Sequence, residues 1–174
     1  MRQRHQVQIR TLKGSENRTA SEIYLRAVSL LARRDHSSAE LGRKLSARGY
    51  FAEAIDEAIQ KLTNEGYLND RRFAQRWTES AIRSGRGYGI RILQELSLRG
   101  ISREIASQAI ENAASEYTEY DSLAAIVTRR FSAFDPSSAP LKEKQRVYSY
   151  LQRRGFSLHS ITSFFLNKDK EFDR

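Results

Sequence analysis

Hydrophobic residues recur three and four positions apart along most of the chain, a spacing that places them on one face of a helix. Three stretches share more than this spacing, because each ends in the same phrase of leucine, two variable residues, arginine, glycine and an apolar residue. The phrases are Leu45–Tyr50, Leu96–Ile101 and Leu151–Phe156. Their glycines are 51 and 55 residues apart (49 to 100 and 100 to 155), and repeats at such a period indicate stacked helical units.

Each phrase predicts the end of a helix. The leucine lies on the buried stripe, the arginine stands near the negative end of the helix dipole, and the glycine can adopt the left-handed conformation that ends many helices. The apolar residue after the glycine can then fold back onto the helix. We therefore interpret six residues as structural turns rather than as a binding motif: Arg48, Gly49, Arg99, Gly100, Arg154 and Gly155.

Apolar residues also align without a gap on both sides of the three glycines, which chance does not readily explain. They stand eight positions before (Leu41, Ile92 and Val147), six after (Ile55, Ala106 and Ile161) and ten after (Ile59, Ile110 and Phe165). We conclude that the three repeats are real.

The pattern as a whole predicts an all-α fold with nine helices. We expect an elongated, curved tandem array of three three-helix repeats, in which neighbouring repeats cover each other's apolar faces. The repeats are predicted at residues 19–66, 67–115 and 116–168. A basic flexible tail at 1–18 and a C-terminal tail at 169–174 flank them.

Short polar motifs predict where helices begin. Thr19–Glu22 and Ser37–Glu40 both have the form of a capping box. The first helix should bury one face, formed by Tyr24, Ala27, Val28 and Leu31. The last helix is expected over Leu158–Leu166, with a frayed end beyond it.

The segment that joins the first two repeats has the most distinctive sequence in the chain. Gly66 should end a helix, with Tyr67 and Leu68 packed under the turn. Asn69 or Asp70 should cap the next helix.

Aromatic residues and glycines near these positions could suggest nucleotide chemistry, but both have a simpler interpretation. Four aromatic side chains are interpreted as core rather than as platforms for bases: Tyr50, Tyr67, Phe73 and Trp77. The segment Gly85–Gly89 superficially resembles a phosphate loop, but it joins two helices and lacks the preceding strand. We interpret it as a flexible basic turn.

Composition narrows the function. The 174 residues include no cysteine, which excludes disulfides and thiolate metal sites. No apolar run approaches the roughly 18 residues that a membrane span needs, and the N-terminus lacks the apolar core of a secretion signal. The three histidines are scattered, and no paired catalytic carboxylates are apparent. We expect a cytoplasmic, non-enzymatic protein with no catalytic residue, metal, cofactor or membrane partner.

Charge is the strongest indication of a partner. The formal net charge is +9, which favours nucleic acid or an acidic protein surface. It is zoned: +6 over Arg71–Arg103 (8 basic, 2 acidic), −5 over Glu104–Asp121 (5 acidic, none basic) and +5 over Arg129–Arg154 (7 basic, 2 acidic). Such zones suit a docking surface with a fixed register, and solvated helix faces are the alternative. On charge alone we predict these partner-binding residues: Arg43, Lys44, Arg72, Arg76, Arg83, Arg86, Arg91, Lys144, Arg146 and Arg153.

In these motifs and their order, the sequence resembles the RecX family of regulatory proteins. Besides the three glycine phrases, the resemblance rests on Leu30–Leu41, Gly66–Ala74, Arg86–Gly89 and Lys142–Arg146. It implies an all-helical array of three-helix repeats and a cytoplasmic, non-enzymatic modulator of the recombinase RecA.

Members of this family bind the RecA nucleoprotein filament in its helical groove and suppress its extension. They thereby restrain ATP hydrolysis, strand exchange and co-protease activity, which affects recombination, DNA repair and the SOS response. The implied partners are the RecA filament and DNA, with weak, salt-sensitive binding to single strands that could extend to duplexes. We expect a monomer, since nothing in the sequence indicates oligomerisation.

A DNA-binding protein that acts without recombinase is the alternative, because helix, glycine turn and helix recur three times. Recognition helices should be rich in residues that contact bases. The helix at Ala52–Leu62 instead carries Glu53, Asp56 and Glu57. Tight, sequence-specific duplex binding without recombinase would favour this alternative.

Overall fold

A computed structural model describes residues 20–170, and every regular element in that range is a helix. The helices are α1 (20–31), α2 (Ser38–Ser46), α3 (Ala52–Asn64), α4 (Asp70–Arg83), α5 (Gly89–Leu98), α6 (Arg103–Ala114), α7 (Glu119–Arg130), α8 (Leu141–Arg153) and α9 (Leu158–Lys170). The predicted helical class is confirmed. The predicted tail at 1–18 lies outside the described residues, as does Thr19 of the first capping box.

The helix starts follow the polar motifs. The Ser37 side chain accepts a hydrogen bond from the Glu40 amide at 3.0 Å, as the second capping box predicts. Asn69 Oδ1 accepts from the Arg72 amide at 2.9 Å, so Asn69 caps α4. Asp70 has another role, because its Oδ1 accepts from the Ser38 amide at 2.8 Å. That bond ties the start of α4 to the start of α2.

The three repeated glycines adopt the left-handed conformation, as predicted. Their φ angles are 83° at Gly49, 81° at Gly100 and 89° at Gly155. After α5 the Gly100 amide donates to Ser97 O at 2.8 Å, and the next amide, of Ile101, donates back to Leu96 O at 3.1 Å. This pair of bonds satisfies carbonyls that the helix end would leave without partners.

The chain divides into two compact units, which we call unit 1 (to Phe73) and unit 2 (from Ala74), and the boundary falls within α4. The core of unit 1 is apolar and continuous, formed by Ile23, Ala27, Leu30, Leu41, Leu45, Ile55, Ala58, Leu62 and Leu68. The predicted face of α1 is thus shifted by about one residue, because Tyr24, Val28 and Leu31 are only half-buried.

Unit 2 uses the same repeat positions for its core. Leu96 and Leu151, which open the second and third phrases, are fully buried, as is Leu45 in unit 1. The residues eight positions before each glycine are also fully buried: Leu41, Ile92 and Val147. Within unit 2, Glu119 at the start of α7 accepts from the Ser157 amide at 2.6 Å, just before α9.

Two local predictions are wrong. Tyr67 does not pack under the turn after α3, because its exposed fraction is 59%. Leu68 alone does so, held by a bond from its amide to Leu62 O, and is 1% exposed. Helix α9 continues beyond Leu166 to Lys170, into the predicted tail, since no glycine or proline interrupts that stretch.

No helix within 20–170 combines the length and apolarity that crossing a bilayer would require.

Candidate partner-binding site

The basic residues predicted in unit 1 differ in what they contact. Arg43 and Lys44 are exposed near the end of α2. Arg72 is also exposed, but its Nη2 donates to Gly66 O at 3.0 Å and to Tyr67 O at 3.2 Å. Arg72 therefore closes the turn after α3, a structural role that its charge did not indicate.

In unit 2, Trp77 lies at the centre of a group of arginines. The guanidinium carbons of Arg86 and Arg99 lie over its ring, at 4.5 Å and 3.5 Å from the centroid. The indole nitrogen donates to Glu95 Oε2 at 3.3 Å, and Arg91 pairs with the other oxygen of Glu95 at 3.2 Å. Trp77 is half-buried, so the prediction of a core role is wrong. Its ring face instead contacts two guanidinium groups.

Two of the predicted helix-end arginines cap their own helices, and the third does not. Arg99 Nη1 donates to Glu95 O at 2.8 Å, and Arg48 Nη1 reaches Lys44 O at 3.4 Å. Arg154 Nη1 donates instead to Arg86 O at 2.7 Å, across 68 positions of sequence.

The glycine-rich segment 84–89 is packed rather than flexible, which corrects the sequence interpretation. The Tyr88 amide donates to Arg154 O at 2.8 Å, and the Tyr88 ring stacks on Phe156 with centroids 5.6 Å apart. Tyr88 is only 7% exposed. The contact joins the segment before α5 to the glycine turn after α8.

Glycine makes this close approach feasible. A Cβ at Gly155 would lie 2.6 Å from Arg91 Cβ and would also meet the Tyr88 carbonyl oxygen. A Cβ at Gly87 would lie 3.2 Å from Arg154 O. The sequence signal for this close approach was the alternation of glycines in segment 84–89, because glycine marks close backbone approach as well as flexibility.

A pocket of about 250 Å³ lies beside this junction and has four arginines in its lining. We call it the arginine pocket; its arginines are Arg86, Arg129, Arg130 and Arg154. Arg129 and Arg130 end α7 and were not among the predicted binding residues. Helical periodicity places them at the end of α7 but cannot reveal that α7 ends beside segment 84–89.

The other predicted residues of unit 2 lie on its helices. Arg76 and Arg83 are exposed on α4, Arg146 and Arg153 are exposed on α8, and Lys144 is half-buried. The Arg146 guanidinium lies 5.9 Å from the Phe131 ring centroid.

Comparison with protein families identifies the three repeats. Three domain models match in sequence order: the first three-helix domain of RecX at 24–62, the second at 69–110 and the third at 117–165. The chain belongs to the RecX family. The resemblance and the fold class of tandem three-helix domains are both confirmed.

Relatives called regulatory protein RecX cover most of the chain. The one from Trichlorobacter lovleyi is 36% identical over 145 residues, which are 83% of this chain and 94% of the relative. The one from Syntrophotalea carbinolica is 32% identical over 139 residues, 80% of this chain and 91% of the relative.

Solved RecX structures have the same fold. The crystal structure of RecX from Lactobacillus salivarius aligns with a TM-score of 0.70 at 22% identity, covering 88% of this chain and 98% of that one. On the RecX domain matches, the arginine pocket takes Arg86 from the second domain and Arg129, Arg130 and Arg154 from the third.

Proposed function

We propose that this RecX-family protein is a non-enzymatic regulator that binds the RecA filament on DNA. In doing so it inhibits filament extension, ATP hydrolysis and strand exchange, and so modulates recombination, DNA repair and the SOS response. It acts as a cytoplasmic monomer without a cofactor. The observation that carries this proposal is the ordered match of all three RecX domains over 24–165.

The charge of the chain supports a filament as partner. A recombinase filament presents DNA phosphate together with protein surface, and exposed arginines can contact both. We assign the contacts to the ten basic residues predicted above, with Arg83 and Arg153 as the best test positions. Both are exposed in unit 2. Arg72 is a poorer test, because its loss would also open the turn after α3.

The exposed acids of α3 disfavour the alternative of a stand-alone DNA reader. Glu53, Asp56 and Glu57 are all exposed on α3, the helix that follows the Gly49 turn. A helix with three exposed carboxylates repels the phosphate backbone on either side of a groove.

The test is an ATPase assay with RecA on single-stranded DNA. We expect the protein to lower the hydrolysis rate at stoichiometric amounts, and the double variant Arg83→Glu, Arg153→Glu to do so less well. The double variant Arg33→Glu, Arg103→Glu is the matched control, since both are exposed arginines outside the predicted set and the charge change is the same. An unchanged hydrolysis rate with the wild-type protein would overturn the proposed function. Full inhibition by the double variant would overturn only the assigned contacts.

A further inference from the structure

Within residues 20–170, the arginine pocket concentrates positive charge that no carboxylate neutralises. Among the described residues, none of its four arginines forms an ion pair with an acid. Their partners are neutral. Arg129 Nη2 donates to Ser84 O at 2.8 Å, and Arg154 Nη1 donates to Arg86 O at 2.7 Å. Carbonyl oxygens position a guanidinium but leave its net charge intact, so the pocket attracts an anion.

The same hydrogen bonds hold the donors in place before any ligand arrives. Each guanidinium has five N–H donors, and these bonds use one on Arg129 and one on Arg154. The remaining donors form planar forks that match the oxygens of a phosphate in bidentate fashion. Because the side chains are already ordered, binding costs less conformational entropy than it would for flexible surface lysines.

The size and lining of the pocket favour a phosphate group over a base. A volume of about 250 Å³ is below the range of roughly 300–1,000 Å³ typical of sites that enclose a whole small molecule. The Tyr150 ring in the wall is already occupied, with Arg130 and Arg154 over it at 5.1 Å and 5.0 Å. It is therefore not available as a stacking platform for a base.

A polymer suits the pocket better than a free anion or a single carboxylate. Four cations exceed what one carboxylate neutralises, whereas a phosphodiester chain brings further charges along with the bound one. Arg129 and Arg130 are exposed, so the pocket opens to solvent. Arg83, directly before the segment that forms the wall, is exposed as well.

We propose that the arginine pocket binds a backbone phosphate of single-stranded DNA, without selecting the base. The second and third RecX domains together then form a DNA-binding surface. For its biological setting this rests on the proposed function, but its test uses DNA in the absence of RecA, so the two can fail separately.

The test is a titration of the full chain with a labelled thymidine oligonucleotide, followed by fluorescence anisotropy at several salt concentrations. The double variant Arg129→Gln, Arg130→Gln should bind about tenfold more weakly or worse, a loss on the scale of a charge-assisted hydrogen bond. Its log–log salt dependence should become shallower by about 0.7 for each phosphate that the variant no longer neutralises. The control Arg33→Gln, Arg103→Gln removes the same charge elsewhere and should retain most of the affinity.

Two further measurements separate backbone recognition from folding defects. Arg130→Gln alone removes a guanidinium that lies over the Tyr150 ring, and it should weaken binding with unchanged helix content. An oligonucleotide of the same sequence with an uncharged methylphosphonate backbone should not bind the wild-type protein.

Three results would overturn the inference: equal losses in the pocket and control variants, binding of the uncharged oligonucleotide, or oligoglutamate binding that depends on the pocket while DNA binding does not. The last would assign the pocket to an acidic protein surface. If the pocket variants lose DNA binding but the wild-type protein leaves the RecA hydrolysis rate unchanged, the pocket stands and the proposed function falls.

Discussion

Gly49 and Gly155 occupy the same place in two copies of one sequence phrase, yet their surroundings are opposite. Both are left-handed, with φ angles of 83° and 89°. Around Gly49 a Cβ would meet nothing within 4 Å, whereas at Gly155 it would collide with the backbone near Tyr88 and Arg91. The phrase therefore determines the turn, and the rest of the chain determines whether the turn is also a packing surface.

The arginine that precedes each glycine differs in the same way. Arg48 reaches a carbonyl of its own helix at 3.4 Å, while Arg154 bonds the carbonyl of Arg86 at 2.7 Å in another repeat. One side chain caps a helix end in unit 1, and its counterpart joins two repeats in unit 2. Arginines at equivalent positions of the repeated phrase therefore have different structural roles.

The largest expected effect is at Gly155. Gly155→Ala adds the cost of a left-handed alanine, about 1 kcal/mol, to that of an overpacked site, about 1–3 kcal/mol. We expect a loss of about 2–4 kcal/mol in the free energy of unfolding, measured by urea denaturation followed by circular dichroism. A loss no greater than that of the same change at Gly49 would mean that the turn after α8 is not tightly packed.

An intermediate effect is expected at Gly100, where the backbone is left-handed. Gly100→Val places a β-branched residue at a φ of 81°, which should cost about 1–2 kcal/mol. Thermal and urea melts measure the change. A normal melting temperature would contradict the left-handed conformation after α5.

A smaller effect is expected at Gly49. Gly49→Ala retains the strain of positive φ but meets no neighbouring atom, so about 1 kcal/mol should be lost in the same urea titration. This variant is the matched control for Gly155→Ala. The difference between the two measures the packing of the second repeat on the third.

The smallest expected effect concerns the starts of α2, α5 and α8, the helices that precede the three repeated glycines. Only α2 among the three has a buried histidine at its start: His36, 4% exposed. Burial lowers the pKa of His36 below its usual 6.5, aided by Arg34 and Lys44 and opposed by Glu40. Below pH 6.5 the unfolded chain therefore takes up the proton first, so this contribution to stability is present above 6.5 and is lost as the pH falls through that value towards the folded pKa.

His36→Gln should accordingly show a shallower loss of stability than the wild-type protein between pH 6.5 and the lowered pKa, in urea titrations at several pH values. His159→Gln, which removes an exposed histidine in unit 2, is the control for the substitution itself. An identical dependence of stability on pH for the wild type and His36→Gln would show that burial does not lower the pKa of His36.

The helices and their turns could be predicted because their causes are local. The bonds that end α5 lie within six residues, from Leu96 to Ile101, and the leucine, arginine and glycine of the phrase all fall inside that span. Ser37 and Asn69 cap helices a few positions away for the same reason.

The candidate site was less predictable because its residues are distant in sequence. Arg154 meets Arg86 across 68 positions, and Arg129 meets Ser84 across 45. No periodicity encodes such pairs. Charge therefore selected Arg86 but not Arg129 or Arg130, and aromatic character suggested a core role for Trp77 although two cations cover its ring.

Trp77 is also the single tryptophan of the chain, and it lies in unit 2. Its fluorescence emission therefore reports the loss of structure in unit 2 but not in unit 1. The circular dichroism of the helices reports both units. If the two signals change together in urea, the protein unfolds as one cooperative entity. If they separate, the interval between them measures how independently unit 1 unfolds.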